Sequence, residues 1–197
     1  MTVYKLKMVM LGDTGVGKSC LVSRFIYDSY NDYINATIGA QFMTKEFADG
    51  KYRIDIWDTA GQERFRSLIP MYVKGANILL IVLDVTTPKD QIDAQIDYWF
   101  NYIKEHIVGN SHYRIILVYN KIDIKHNFKV ERDERFYESI EVSCKTGLNL
   151  KHLESIIFKA VGEIEPQLQK YTPLNKKNLV ASKQTYSEMV MSYCSIV

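Results

Sequence analysis

Eight residues, Gly12-Asp-Thr-Gly-Val-Gly-Lys-Ser19, constrain this chain more than any others. They follow an extended apolar stretch, residues 5–11, and precede an amphipathic run, residues 20–27. A glycine, four residues, then Gly-Lys-Ser is a P-loop pattern. Gly12, Gly15 and Gly17 let the main chain approach a phosphate closely. Asp13, Thr14 and Val16 complete the turn. Backbone N–H groups from about Gly15 to Cys20 would converge on a diphosphate, helped by the positive end of the following helix. Lys18 offers a point charge between the outer phosphates, and Ser19 a hydroxyl for Mg²⁺. An ordinary glycine-rich turn between strand and helix has the same local form, so the partner motifs decide.

The rest of the chain alternates strand and helix patterns. Residues 3–11 read as a strand and 19–27 as a helix with Leu21, Val22, Phe25 and Ile26 on one face. Residues 28–39 have turn formers and no period. The alternating runs 42–48 and 51–57 flank Asp49-Gly50, a hairpin turn. Residues 58–66 read as a charged loop and 68–74 as a short helix. Residues 78–84 and 114–119 are continuous apolar runs of buried strands, and 140–143 a shorter one. A long helix opens at Thr87-Pro88 and runs to about Ile107; the last spans 149–164 and stops at Pro166. This is an α/β chain: a mostly parallel six-stranded sheet with one antiparallel hairpin strand and helices on both faces.

Four further constellations follow, three of them at strand ends, where an open parallel sheet places its ligand. Asp58-Thr-Ala-Gly61-Gln62 follows the strand ending at Trp57. Beside a P-loop, Asp58 completes a Mg²⁺ shell, Gly61 gives its N–H to a γ-phosphate, and Gln62 orients an attacking water; in isolation Asp58 would be a turn cap. Thr37, in the loop before the hairpin, can hold Mg²⁺ by its hydroxyl, although locally it is an ordinary loop threonine. Asn120-Lys121-Ile122-Asp123 supplies a carboxylate, Asp123, for the paired N–H groups of a guanine edge. Lys121 can cover the base plane, and Asn120 can tie the loop to the P-loop. Ser143-Cys144-Lys145 offers backbone N–H groups to the guanine O6. Each of these two is also an ordinary polar turn when alone.

In this order GDTGVGKS, TIG, WDTAGQE, NKID and SCK resemble the Ras superfamily of small GTPases, from Tyr4 to about Glu165. The resemblance implies the Ras-like P-loop GTPase fold. IGAQF (38–42), WDTAGQERFRSL (57–68) and MYVKGA (71–76) are similar to Rab signatures, and SLIPMY (67–72) with TIGA leans towards the early-endosomal branch. It further implies that Phe42, Trp57 and Tyr72 form the surface effectors read, although aromatics at such positions commonly pack in cores. Tyr30 matches the aromatic that packs on the guanosine. The chain departs from the family at Cys144, usually alanine, and at Thr14, usually a smaller residue. Segment 124–138 is shorter than the family's helix-bearing connection, with room for a helical turn or two near 131–137. A single cysteine, Cys194, stands near the end in place of a pair.

Composition and the tail complete the expectation. A net charge of +2 is too small to argue for a nucleic-acid partner. Cys20, Cys144 and Cys194 have no metal-ligand spacing and suit reduced thiols of the cytosol. Lys5 and Lys7 interrupt any secretory signal, no apolar run is long enough to span a bilayer, and Met-Thr does not indicate N-myristoylation. The GTPase domain is expected over 1–166, with 167–197 a flexible tail. Cys194-Ser-Ile-Val197 fits a prenylation signal, giving reversible attachment to the cytosolic face of endomembranes, endosomes among them, and a prenyl-binding chaperone. The expected function is a Rab-like GTP/GDP switch in vesicular traffic that hydrolyses GTP slowly with Mg²⁺, served by an exchange factor, an activating protein and effectors. A GTP-binding adaptor that rarely hydrolyses and a P-loop kinase are the rival readings; guanine selectivity disfavours the kinase.

Overall fold

The computed structural model describes residues 3–31, 35–48, 50–107, 112–124, 130 and 132–171. Strands β1 (Val3–Leu11), β2 (Ala40–Phe47), β3 (Tyr52–Thr59), β4 (Ile78–Asp84), β5 (Arg114–Asn120) and β6 (Glu138–Glu141) form one sheet in the order β2-β3-β1-β4-β5-β6. β2 runs antiparallel to β3, and the other neighbours along this path are parallel. The helices are α1 (Lys18–Tyr27), α2 (Ile69–Val73), α3 (Lys89–His106) and α4 (Leu150–Ile164).

Period-two alternation divides the central strands between two cores. Leu6, Met8 and Met10 of β1, Ile78, Leu80 and Val82 of β4, and Ile116 and Val118 of β5 pack with α1 and α4. Val9 and Leu11, Leu79, Ile81 and Leu83, and Leu117 and Tyr119 pack with α2 and α3. Both faces of β4 and β5 are therefore buried, and their sequences are apolar without a polar face. The parallel pairing leaves the carboxyl ends of β1, β3, β5 and β6, each followed by a motif, along one rim of the sheet.

Four features differ from the sequence expectation. The hairpin turn lies between Phe47 and Tyr52, which pair across it, with the Lys51 N–H donating to the Ala48 carbonyl (3.0 Å); Asp49 lies outside the described residues. Residues 63–66, expected as loop, belong to a 3-10 turn, Glu63–Leu68, that leads into α2. Order continues past Pro166, where the tail was expected to begin. Residues 165–167 make a 3-10 turn, Leu168 is buried, and Gln169–Tyr171 form β7, antiparallel to the start of β1. The reason is that β4 joins β1 only from Met8 onward, which leaves the backbone of Val3–Lys5 open on that side for β7. The rest of the tail, including Cys194, lies outside the described residues.

The short segment before β6 is the fourth difference. Its described part is a turn, with the Phe136 N–H on the Asp133 carbonyl (3.1 Å) and no helix. Phe136 is buried against Phe100 of α3, ring centroids 5.4 Å apart, and Arg135 pairs with Asp97 (2.6 Å). One aromatic and one ion pair thus cover the sheet. Ile140 belongs to the opposite core under α4. Alternation puts Ser139 and Glu141 on the thinly covered face, where polar side chains need no burial.

Candidate functional site

The turn from β1 into α1 holds the P-loop. Gly17 caps α1 at φ 101°, in the left-handed region, and an added Cβ would lie 2.2 Å from Asn120 Nδ2. That contact is structural: Asn120, 2% exposed, donates from Nδ2 to the Val16 carbonyl (2.8 Å) and accepts the Cys144 N–H at Oδ1 (3.1 Å). One amide therefore joins the P-loop, the end of β5 and the loop after β6. Lys18 is buried at 6% exposure and donates to the carbonyls of Gly12 (2.8 Å) and Asp13 (2.7 Å). Burial lowers its pKa to about 8, against the opposing pull of Asp58 and Asp13.

The loop after β3 lies on the P-loop. A Cβ at Gly61 would come within 2.5 Å of the Asp13 carbonyl and the Thr14 nitrogen, so only glycine permits the approach. Asp58 is fully buried, and neither carboxylate oxygen has a hydrogen-bond partner among the described residues. Burial raises its pKa; Ser19, Lys18 and Thr37 pull the other way without cancelling that effect. The Ser19 and Thr37 hydroxyls meet at 2.9 Å. A buried unpartnered carboxylate beside two hydroxyls is a donor set for a hard divalent cation that keeps water and phosphate oxygens in its shell. Among the described residues no three His, Cys, Asp or Glu side chains cluster as a metal cage, so Asp58 would be the one protein carboxylate.

Two adjoining cavities share Gly15, Gly17 and Cys20. One, of ≈ 300 Å³, is lined by Thr14, Lys18, Ser19, Thr37 and Gln62. The other, of ≈ 320 Å³, is lined by Tyr30, Asn120, Lys121, Asp123, Cys144 and Lys145. A larger cavity of ≈ 410 Å³ between α1 and α4 has an apolar floor of Met8, Met10, Leu21 and Ile157. It includes none of the motif side chains, so the chemistry lies in the smaller pair. In the second cavity Asp123 accepts the Ser143 hydroxyl (2.5 Å), and Lys121, itself at φ 72°, pairs with Asp84 (2.5 Å). Burial pushes Asp84 up, but its hydrogen bonds from Lys121 and Thr86 prevail and hold it below the usual carboxylate range.

Some predicted residues serve otherwise than their motif suggests. The Asp13 carboxylate points away from the phosphate side: it accepts Trp99 Nε1 (3.2 Å) and lies 3.8 Å from Arg66, tying the P-loop to α3 and the 3-10 turn. The Cys144 N–H is engaged by Asn120, whereas the Lys145 N–H makes no hydrogen bond among the described residues. The Cys144 thiol is buried, which pushes its pKa up to about 12 and keeps it protonated. Phe42 (42% exposed), Trp57 and Tyr72 form a continuous aromatic run, with centroids 5.1 and 5.3 Å apart, that passes from the exposed Phe42 to the buried Tyr72. Sequence reasoning missed Arg24, Asp84 and the bond from Trp99 to the P-loop. No local pattern marks them, because each partner is remote in the chain.

Fold and site define a P-loop nucleotide-binding protein of the α/β class. Comparison with known proteins carries this further. Residues 7–163 match the Ras family. The chain is 40% identical over 177 residues to the human Ras-related protein Rab-22A, covering 85% of this chain and 89% of that protein. It is 39% identical over 176 residues to the mouse Ras-related protein Rab-31, covering 85% and 88%. The chain belongs to the Ras family of small GTPases, in its Rab subfamily. Among the described residues no helix is long and apolar enough to cross a membrane.

Proposed function

We propose that this chain is a GTP/GDP switch of vesicular membrane traffic, binding GTP with Mg²⁺ and hydrolysing it slowly to GDP and phosphate. The observation that carries the reading is the pair of adjoining cavities, one lined by Lys18, Ser19 and Thr37 and the other by Asn120, Lys121 and Asp123. Their shared wall of Gly15, Gly17 and Cys20 and their linings suit a guanosine polyphosphate. Mg²⁺, when bound, neutralises charge on the phosphate oxygens. Asp58, Ser19 and Thr37 are the residues that would hold it. Lys18 and the backbone N–H groups from Gly15 to Cys20 bind the phosphates, Gly61 offers an N–H to the terminal one, and Gln62 orients the attacking water. Asp123 accepts two N–H groups of guanine, the free Lys145 N–H donates to O6, and Tyr30 and the Lys121 stem cover the faces.

In this reading Thr37 and Gly61 are held only while the terminal phosphate is present, and its loss releases both loops. Effectors read Phe42, Trp57 and Tyr72 in the held state, and an exchange factor and an activating protein set the cycle. The segment after Tyr171 is the tether. Prenylated Cys194 places the protein reversibly on the cytosolic face of endosomal membranes, with a soluble chaperone for the lipid. Single-turnover hydrolysis of GTP tests the proposal. The expected rate is on the order of 10⁻⁴ s⁻¹ by analogy with unassisted Ras, and Gln62→Leu should keep GTP bound and slow the reaction. Equal rates in the variant would remove Gln62 from the mechanism; no turnover above free GTP would remove the GTPase reading.

A further inference from the structure

Arg24, in the middle of α1, reaches the loop after β6, about 120 residues away in the chain. Its Nε donates to the Cys144 carbonyl and its Nη2 to the Lys145 carbonyl, both at 2.7 Å. Nη1 adds a longer bond to the Asp28 carbonyl at the end of α1 (3.3 Å), and the guanidinium carbon sits 5.6 Å from the centre of the Tyr30 ring. All three acceptors are main-chain oxygens. Two short bonds to successive carbonyls use the guanidinium fork, a geometry an ammonium cannot reproduce.

In a trans peptide the C=O and N–H point in opposite directions. Holding the Cys144 carbonyl therefore turns the Lys145 N–H away from Arg24. Among the described residues that N–H makes no hydrogen bond, and Cys144 and Lys145 both line the base cavity, whereas Arg24 does not. Holding the Lys145 carbonyl likewise orients the Thr146 N–H, which donates to Ser143 Oγ (3.1 Å). Ser143 Oγ in turn donates to Asp123 Oδ1 (2.5 Å). The two peptide planes fixed by Arg24 thus lead to the two groups that face guanine.

We infer that Arg24 is a positioning residue for guanine recognition, setting the Lys145 N–H against O6 and, through Thr146 and Ser143, the Asp123 carboxylate against N1 and N2. The inference rests on guanine occupying the cavity beside Asp123. Loss of the fork loosens the loop, so nucleotide release quickens and the base is read less sharply at O6. The guanidinium also links this loop to Tyr30, so the base loop and the segment leading to Thr37 share one anchor.

The test measures release of GDP and of 6-thioguanosine diphosphate, in which a weaker acceptor replaces O6, from the wild type, Arg24→Gln and Arg24→Lys in excess Mg²⁺. Arg24→Gln should release GDP about 10- to 100-fold faster, from the loss of two charge-assisted bonds. The wild type should release the thio analogue faster than GDP, and in Arg24→Gln that ratio should shrink by about threefold or more, since coupled sites are not additive. Arg24→Lys, which keeps the charge without the fork, should fall between them and serves if the glutamine variant does not fold. An unchanged thio-to-GDP ratio in the variants would overturn the inference, because a merely structural arginine speeds both ligands alike. A wild type that retains neither ligand would overturn the guanine reading itself.

Discussion

Asp58→Asn should make the metal-free protein more stable while weakening its response to Mg²⁺. Asp58 is fully buried and neither oxygen has a hydrogen-bond partner among the described residues. Leaving a buried acceptor unsatisfied costs about 1–3 kcal/mol, and more when it is charged. Burial raises the carboxyl pKa above its ordinary 3.8. The folded state then binds the proton more tightly than the unfolded state. Metal-free stability accordingly falls as pH rises from the ordinary value through the raised one, and stays low at neutral pH. Asparagine is nearly isosteric, carries no charge and has an amide that can donate to the Ser19 or Thr37 hydroxyl. The expected gain in EDTA is about 1–3 kcal/mol, read as about 2–4 °C in Tm for each kcal/mol in a chain of this size. Thermal melts of the GDP complex with EDTA or with Mg²⁺ measure both effects. The wild type should gain stability from Mg²⁺ and the variant much less. A variant less stable in EDTA, or equally stabilised by Mg²⁺, would refute the assignment of Asp58 to the cation.

Further expectations follow from other parts of the molecule. The folded Lys18 pKa of about 8 lies below its ordinary 10.5, so metal-free stability rises between those values, where the unfolded state still holds the proton that the folded state has lost. Polyphosphate restores that proton, and calorimetry at pH 8.5 in buffers of different ionisation enthalpy should show net uptake; identical heats would contradict it. β6 has one strand neighbour and four residues, whereas β4 lies between β1 and β5. Hydrogen exchange at Ile140 should therefore outpace that at Leu80, and equal protection would count against local opening at this edge. Cys194→Ser should leave GTP binding intact and move the protein to the soluble fraction of lysed cells, whereas continued sedimentation with membranes would place the anchor elsewhere.

The sequence revealed what depends on local pattern. Continuous apolar runs in β4 and β5 gave buried parallel strands, Asp49-Gly50 gave a hairpin, and the motif order placed the candidate site along one rim of the sheet. Pairings between distant residues were not legible. Arg24 looks like the polar side of an amphipathic helix until the fold brings Cys144 and Lys145 beneath it. Asp13 belongs to the P-loop pattern, yet its carboxylate serves Trp99 and Arg66, which are set by how α3 and the 3-10 turn pack. β7 has too few residues for a period, and only the open edge of β1 calls for it. The face assignment of Ile140 required knowing that β6 begins at Glu138, because a one-residue shift exchanges the two faces.

The central claim, a guanine-selective switch, is tested most directly by base preference at Asp123. Competition of GTP, ATP and xanthosine triphosphate against labelled GDP should be measured for the wild type and Asp123→Asn. On this account the wild type should prefer GTP, with Asp123 as the acceptor for both N–H groups of the guanine edge. The asparagine amide donates where the carboxylate accepted, so the variant should lose GTP and gain xanthosine triphosphate, which has a carbonyl in place of the exocyclic amine. Each charge-assisted bond lost is worth about 1.5–3 kcal/mol, roughly a 10- to 100-fold change in affinity. A reversed preference is the predicted result; a wild type indifferent to the base, or a variant with undiminished GTP affinity, would contradict the account.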